Sequence, residues 1–153
     1  MLLQQRRRRQ FDRQPQPFPQ LRRFDLAHRR MRILSIDDDP HIHTILQIRL
    51  RRFAVDLEQA YFGSDGVVKA LAFQPDIIVT DIAMPNGDGH SAIESLSHHP
   101  ATANVPIIVL SAMRDRRIID RIMRSGVAAF IQKPARFNTL VDEIARHIEL
   151  VEL

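Results

Sequence analysis

Apolar and polar residues alternate along the chain in five strand-like runs, each followed by a segment with helical periodicity. The runs DIIVT and VPIIVL are nearly continuous and apolar, which is typical of strands covered on both faces of a parallel sheet. Between the runs, apolar residues recur on one helical face. The predicted strands are 32–36, 54–60, 76–80, 105–110 and 128–132, and the predicted helices are 40–50, 64–73, 90–97, 114–125 and 138–151.

Local signals set the predicted helix ends. Asp39 is a suitable N-cap before Pro40 at the first helical position. Ser64 or Asp65 is predicted to cap the second helix, and Gly126 is predicted to end the fourth. Because strands and helices alternate, the sequence predicts an α/β fold with a doubly wound, five-stranded parallel sheet flanked by five helices.

Chemically reactive residues follow four of the predicted strands. In such a sheet, ligands bind outside the carboxyl ends of the strands. Asp37 and Asp38 follow the first strand and Asp81 the third, while Ser111 and Lys133 follow the fourth and fifth. Clustered carboxylates suit Mg²⁺, and a lysine and a hydroxyl suit a phosphoryl group, so the set predicts an aspartyl phosphate.

Each of these residues alone also has an ordinary structural explanation. Lys133 could be a surface lysine, Ser111 a helix cap, and Asp81 a turn former in DIAMPNGDG. The prediction therefore depends on their combination at four strand ends.

Composition narrows the class of protein. The chain has 153 residues, which is the size of one domain, and it has no cysteine for disulfides or thiolate metal sites. No apolar run approaches the roughly 18 residues of a membrane span. The first arginines are not followed by the apolar stretch of a secretory signal. We therefore expect a cytoplasmic protein with no membrane insertion.

Charge divides the chain near residue 30. Residues 1–30 contain nine arginines and two aspartates, whereas the rest contains thirteen basic and sixteen acidic residues. The Arg-, Gln- and Pro-rich segment is predicted to be a disordered basic tail, and residues 31–153 to form the domain. Three interpretations of the tail stay open: a contact with nucleic acid or another anionic surface, a solvated tail without a partner, or a true start at Met31.

Four stretches match a known family in order and approximate spacing: ILSIDDDP, DIIVTDIAMPNGDG, VPIIVLSA and GVAAFIQKP. From about residue 32 to 150 the chain resembles a bacterial response-regulator receiver domain of the CheY-like type. The resemblance implies that Asp81 is the phosphoacceptor. It implies that Asp38 binds Mg²⁺ directly, that Asp37 assists, often through water, and that the backbone carbonyl of Ala83 is a further metal ligand.

The resemblance also implies a switch. Ser111 fills the Thr/Ser position that bonds the phosphoryl group, Lys133 is the family's lysine, and the Lys133–Pro134 peptide bond is expected to be cis. Phe130 fills the aromatic switch position. Phosphorylation of Asp81 would draw the Ser111 hydroxyl inward, and Phe130 would turn into the space behind it. This movement would change the face made by helix four, strand five and helix five.

The side chains at two positions beside the expected phosphoryl group indicate how fast the aspartyl phosphate is hydrolysed. Ala83 lies two residues after Asp81, and Met113 lies two residues after Ser111. Neither side chain can orient a hydrolytic water by hydrogen bonding. We therefore expect slow self-dephosphorylation.

Partners follow from the same resemblance. The expected phosphate source is a histidine kinase or a histidine phosphotransfer protein, which commonly meets the helix carrying His43 and Ile48. The expected target is a downstream protein that docks on the face of helix four, strand five and helix five, and the phosphorylated chain could form a homodimer. The arginines of helix four fit an acidic partner or a solvated face.

The sequence leaves three function classes open. Few residues follow the last helix, so we expect a stand-alone, single-domain response regulator of a two-component system. We expect no enzyme activity beyond its own phosphorylation and slow dephosphorylation. The alternatives are a phosphorelay intermediate that passes phosphate between histidine domains, and a nucleic-acid-contacting regulator that uses the arginine-rich tail.

Overall fold

The computed structural model describes residues 29–85 and 88–153, so the predicted disorder of residues 1–28 lies outside the described residues. Five strands and five helices alternate in this part of the chain. The strands are β1 (Met31–Ile36), β2 (Val55–Ala60), β3 (Ile77–Thr80), β4 (Ile107–Ser111) and β5 (Ala129–Gln132). The helices are α1 (Pro40–Leu50), α2 (Gly63–Phe73), α3 (Gly89–His98), α4 (Arg116–Arg124) and α5 (Phe137–Ala145).

The strands form one parallel sheet in the order β2-β1-β3-β4-β5. This order reverses direction between β1 and β3, which is where ligands bind in doubly wound sheets. The predicted fold class is therefore confirmed. Among the helices of the described ranges, none has both the length and the apolar character needed to cross a bilayer.

Two apolar clusters cover the two faces of the sheet. Leu34 and Ile36 point to the face packed by α2, α3 and α4, whereas Ile33 points to the face packed by α1 and α5. This alternation follows from the two-residue period of a strand. All three side chains are fully buried, and each contributes roughly 1.5–3 kcal/mol to folding by leaving water. Packing on both faces explains why every residue of β3 and β4 is buried.

The start of α2 differs from the prediction that Ser64 or Asp65 caps it. The helix begins at Gly63, and Phe62 at the cap position makes no side-chain hydrogen bond. The backbone N–H of Ser64 instead donates to Oδ2 of Asp88, which precedes α3, at 3.3 Å. A cap supplied by another element cannot be predicted from neighbouring residues, so this local prediction was wrong.

Two further helix ends were misplaced. α4 begins at Arg116 rather than Arg114, because the Asp115 side chain accepts the N–H of Arg117 and fixes the cap there. α5 begins at Phe137 and ends at Ala145 instead of continuing toward Val151. The last residues instead leave the helix, and the Val151 carbonyl accepts the N–H of Ala54 at 2.7 Å.

Both ends of the described chain are attached to the segment before β2. The N–H of Met31 donates to the carbonyl of Ala54 at 2.9 Å, and the N–H of Leu153 donates to the carbonyl of Arg52 at 2.9 Å. Upstream of Met31, Arg29 pairs with Asp76 at 2.7 Å and Arg30 pairs with Asp56 at 2.6 Å. Arg29 and Arg30, which the prediction assigned to the tail, therefore contact the folded domain.

Candidate functional site

The sheet register brings Asp37 and Asp81 together. β1 and β3 are parallel neighbours with Ile36 beside Thr80, so the next residue of each strand lies at the same edge. The hydrogen-bond ladder continues one step further, since Asp81 N–H donates to the carbonyl of Ile36 at 2.9 Å. The two aspartates are therefore placed by backbone pairing rather than by a flexible loop.

Asp37, Asp38 and Asp81 form an acidic cluster. Each offers a carboxylate oxygen, and these oxygens lie within 4.8 Å of one another. Asp37 is 2% exposed and Asp81 is 5% exposed, whereas Asp38 is exposed at the rim. Like charges at this separation repel, and burial of two of them strengthens the repulsion.

Lys133 connects two members of the acidic cluster. Its Nζ lies 2.7 Å from Oδ2 of Asp37 and 3.1 Å from Oδ2 of Asp81. Burial lowers the pKa of the Lys133 ammonium, but its hydrogen bonds and charge attraction to the two aspartates outweigh burial and raise that pKa. Lys133 therefore carries a fixed positive charge beside Asp81.

The carboxylates are oriented by backbone donors. Asp37 Oδ1 accepts the N–H of Asp39 at 2.9 Å, and Asp81 Oδ1 accepts the N–H of Ala83 at 2.8 Å. Burial raises the pKa of Asp37, and its hydrogen bonds with Lys133 and Asp39 offset that rise only in part. The cluster is thus held in place although burial opposes its charge.

The other predicted site residues lie on β4, β5 and the loops that follow. Ser111 is fully buried, and its Oγ accepts the N–H of the partly buried Met113 at 3.3 Å. Phe130 is partly buried against the α2–α4 side of the core. The Lys133–Pro134 peptide bond is cis, as the resemblance implies.

The residues present fit a divalent cation. Three carboxylates with converging oxygens are the donor set that Mg²⁺ prefers. Asp37, Asp38 and Asp81 would hold the ion, and its charge would offset a repulsion that Lys133 offsets only in part.

Asp37→Asn is expected to stabilise the metal-free protein. The amide removes a buried charge and its repulsion with Asp81, which should raise the free energy of unfolding by about 1 kcal/mol in urea titrations with EDTA. Millimolar Mg²⁺ should shrink or reverse the difference, since only the wild type keeps the full ligand set. Asp142→Asn, at an exposed carboxylate on α5, is the control. A less stable Asp37→Asn variant in EDTA would contradict the expectation.

Sequence reasoning missed the place of His43. It lies on α1 but is 1% exposed, so it cannot contact a kinase, whereas Ile48 is 53% exposed. The available signal was its spacing: His43 lies three residues before Leu46 and seven before Leu50, both of which are buried. Its imidazole contacts Ser35 and the backbone of Asp37.

Comparisons with known proteins agree with this fold. The family model described as the response regulator receiver domain matches residues 33–145. Among curated proteins, the chain is 36% identical to the DNA-binding dual master transcriptional regulator RpaA of Synechocystis sp., over 78% of this chain and 55% of that regulator. It is 31% identical to the probable C4-dicarboxylate response regulator DctR of Halalkalibacterium halodurans, and it covers 52% of that protein. The chain thus spans about half the length of these two relatives.

Solved structures show the same architecture. The chemotaxis protein CheY4 of Vibrio cholerae has 21% identity and a TM-score of 0.72, and the match covers 78% of this chain and 100% of that chain. The non-phosphorylated HemR receiver domain of Leptospira biflexa has 25% identity and a TM-score of 0.71, over 81% and 98% of the two chains. The chain belongs to the response regulator receiver domain family and contains the receiver domain of a two-component response regulator.

Proposed function

We propose that Asp81 accepts a phosphoryl group from the phosphohistidine of a histidine kinase or histidine phosphotransfer protein, and that the phosphorylated domain signals by docking to a target protein in the cytoplasm. The observation that carries this proposal is the contact of Lys133 Nζ with both Asp37 and Asp81 at the sheet edge. A buried nucleophile, a fixed cation and two further carboxylates are thereby assembled at one point.

The chemistry requires little movement of these residues. An oxygen of Asp81 forms a bond to phosphorus while the bond between phosphorus and the donor imidazole nitrogen breaks, and the imidazole leaves with the bonding electron pair. Lys133 stabilises negative charge on the transferred oxygens. A bound Mg²⁺ would supply further positive charge to those oxygens. The N–H of Ala83 keeps the Asp81 carboxylate oriented during the approach.

The proposed output is a change at the face made by α4, β5 and α5. Ser111 lies at the end of β4, and Phe130 pairs with Val109 of that strand. A phosphoryl group on Asp81 that attracts the Ser111 hydroxyl would free space beside β4. Phe130 has no hydroxyl, so its two positions would differ in burial rather than in a hydrogen bond.

Intact-mass measurement tests the acceptor. The chain is incubated with acetyl phosphate or phosphoramidate and Mg²⁺, with Asp81→Asn and EDTA-treated samples as controls. We expect a gain of one phosphoryl group that is stable in acid, labile in base and absent from both controls. Asp142→Asn is the matched substitution of an aspartate outside the site, and it should phosphorylate normally.

Two outcomes would overturn the proposal. A phosphoryl group retained in Asp81→Asn would place the acceptor elsewhere. Failure of the wild type to gain phosphate from these donors and from histidine kinases, together with failure to bind beryllofluoride, would show that the site does not accept phosphoryl groups.

Met113→Glu and Ala83→Asn are each expected to accelerate phosphate loss. A carboxylate or amide beside the phosphoryl group could orient the attacking water, and a positioned group of this kind contributes about tenfold or more. The decay is followed after removal of the phosphodonor. The exposed Ala145→Asn on α5 serves as the control, and unchanged decay in both test variants would contradict the proposed slow self-dephosphorylation.

The proposed target surface is strongly basic. Five exposed arginines lie on α4 and the turn before it, and within residues 29–85 and 88–153 none of them forms an ion pair: Arg114, Arg116, Arg117, Arg121 and Arg124. Met123, on the same helix, is 43% exposed. An apolar side chain among cations favours an acidic protein surface over nucleic acid, which offers phosphates but no apolar pocket.

Charge reversal tests that surface. We expect Arg117→Glu/Arg121→Glu to weaken binding of the beryllofluoride-treated protein to polyglutamate by about tenfold or more, because two attractions become repulsions. Arg49→Glu/Arg51→Glu, on α1 and the residue after it, is the matched control, and titrations followed by NMR give both affinities. Tighter binding to duplex DNA than to polyglutamate would replace the protein target by nucleic acid.

A further inference from the structure

His43 is buried between α1 and β1 and makes two hydrogen bonds. Its Nε2 lies 2.8 Å from the backbone carbonyl oxygen of Asp37, and its Nδ1 lies 3.0 Å from Oγ of Ser35. Tyr61 covers the ring edge-on, with the ring centroids 4.8 Å apart and the planes at 71°. The imidazole therefore has a fixed position and fixed partners.

The partners determine which nitrogen carries the proton. A carbonyl oxygen can only accept, so Nε2 is protonated and donates to Asp37. In the neutral ring Nδ1 then accepts the hydroxyl hydrogen of Ser35. His43 thus joins β1 to the first residue after the strand through a directed pair of hydrogen bonds.

The carbonyl that His43 holds belongs to the peptide bond between Asp37 and Asp38. Because that peptide unit is planar, fixing its oxygen restricts the backbone dihedral ψ of Asp37 and the dihedral φ of Asp38. The other contacts of Asp37 leave this carbonyl untouched: its N–H donates to Ala60, and its carboxylate contacts Lys133 and the N–H of Asp39. Within the described residues, His43 is the side chain that hydrogen-bonds to the peptide group between Asp37 and Asp38.

We propose that His43 is a positioning residue for the acidic cluster: its Nε2–H orients the Asp37–Asp38 peptide and thereby sets the affinity of the two carboxylates for a divalent cation. This inference rests on the proposed function, since it assumes that the acidic cluster binds a metal. A leucine of similar size would suffice to fill this buried position of α1, so the donor nitrogen is the informative feature.

Substitutions can separate the two hydrogen bonds. The amide nitrogen of Gln reaches about where Nε2 lies, so His43→Gln keeps a donor for the Asp37 carbonyl. The amide of Asn reaches about where Nδ1 lies, so His43→Asn keeps a partner for Ser35 and loses the donor to Asp37. Ser35→Ala removes the other bond and leaves the Asp37 contact intact.

Mn²⁺ binding to the full chain, measured by electron paramagnetic resonance of the free ion, provides the test. We expect His43→Asn to weaken Mn²⁺ binding about tenfold or more, the usual effect of losing a group that orients a metal ligand. His43→Gln and Ser35→Ala should stay within about threefold of wild type. Urea unfolding of each variant reports stability separately, and phosphorylation by acetyl phosphate should follow the Mn²⁺ affinity.

A second readout needs no metal. In nitrogen-15 NMR spectra, the His43 signals should show a protonated Nε2 and be absent from His43→Gln. A neutral ring protonated at Nδ1 would contradict the assigned hydrogen bonds and overturn the inference.

The outcomes distinguish the inference from the proposed function. If the wild type binds Mn²⁺ and His43→Asn binds it equally well, or if His43→Gln and His43→Asn weaken it equally, His43 is only a packing residue and the inference fails. If the wild type neither binds Mn²⁺ nor gains phosphate, the proposed function fails and the inference fails with it.

Discussion

Replacement of Lys133 by methionine is expected to slow phosphorylation of Asp81 by acetyl phosphate by roughly 100-fold or more. Methionine keeps the length of the side chain but removes the charge that lies 3.1 Å from Asp81 Oδ2. Loss of a single preorganised group that stabilises developing charge typically costs about 10²–10³ in rate. The rate of mass gain at saturating Mg²⁺ provides the measurement.

The chain offers a matched control for this substitution. It has only one other lysine, Lys69, which also lies between two carboxylates, at 3.4 Å from both Glu58 and Asp65. Lys69→Met removes a similar bridge from a more exposed position away from the acidic cluster, so it should leave the rate unchanged. Lys133→Arg should rescue poorly, because the planar guanidinium is larger than a compact ammonium. Equal rates in Lys133→Met and wild type would remove Lys133 from the proposed chemistry.

Gly89→Ala is expected to lower the free energy of unfolding by about 3 kcal/mol. A Cβ at this first residue of α3 would lie 2.6 Å from Cα of Ile82, 2.9 Å from its carbonyl oxygen and 3.0 Å from the carbonyl oxygen of Asp81. These are backbone atoms of the loop that carries the proposed acceptor, so they cannot move aside as the end of a side chain could. Phosphorylation should slow as well, because the displaced segment begins at Asp81.

Gly126→Ala is the control for Gly89→Ala, because it replaces a glycine without creating a close contact. Gly126 has φ of +93° and no atom within 4 Å of an added Cβ, so the cost there is backbone strain alone, about 1 kcal/mol. Urea unfolding of both variants gives the comparison. If Gly89→Ala and Gly126→Ala lower the free energy of unfolding equally, the contact between α3 and the Asp81 loop is not rigid, and the expectation for Gly89 is wrong.

The sheet was predictable because its strands are covered on both faces. Runs such as DIIVT are nearly continuous and apolar, which is typical of strands buried on both faces. The observed strands begin within two residues of the predicted positions and end within one. The convergence of the residues at the strand ends was predictable for a second reason: a parallel sheet brings all its carboxyl ends to one edge. Asp37, Asp81 and Lys133 meet there in the structure.

What the sequence did not predict depends on contacts between distant residues. The cap of α2 comes from Asp88, 24 residues after Ser64. The burial of His43 depends on Ser35 and the Asp37 carbonyl as partners, without which a buried imidazole would be costly. Neither partner lies on the helix that carries His43.

The two ends of the described chain meet at the opposite edge of the sheet from the acidic cluster. Met31, Val151 and Leu153 all bond to the backbone of Arg52 and Ala54, immediately before β2. A short linker from Leu153 to Arg29 would therefore close the domain into a ring with little distortion. New ends opened between Ala103 and Asn104, two exposed residues between α3 and β4, would give a circular permutant that keeps every strand end of the site. The permutant should therefore keep the proposed chemistry, since that chemistry would depend on the residues at the sheet edge and not on where the polypeptide begins.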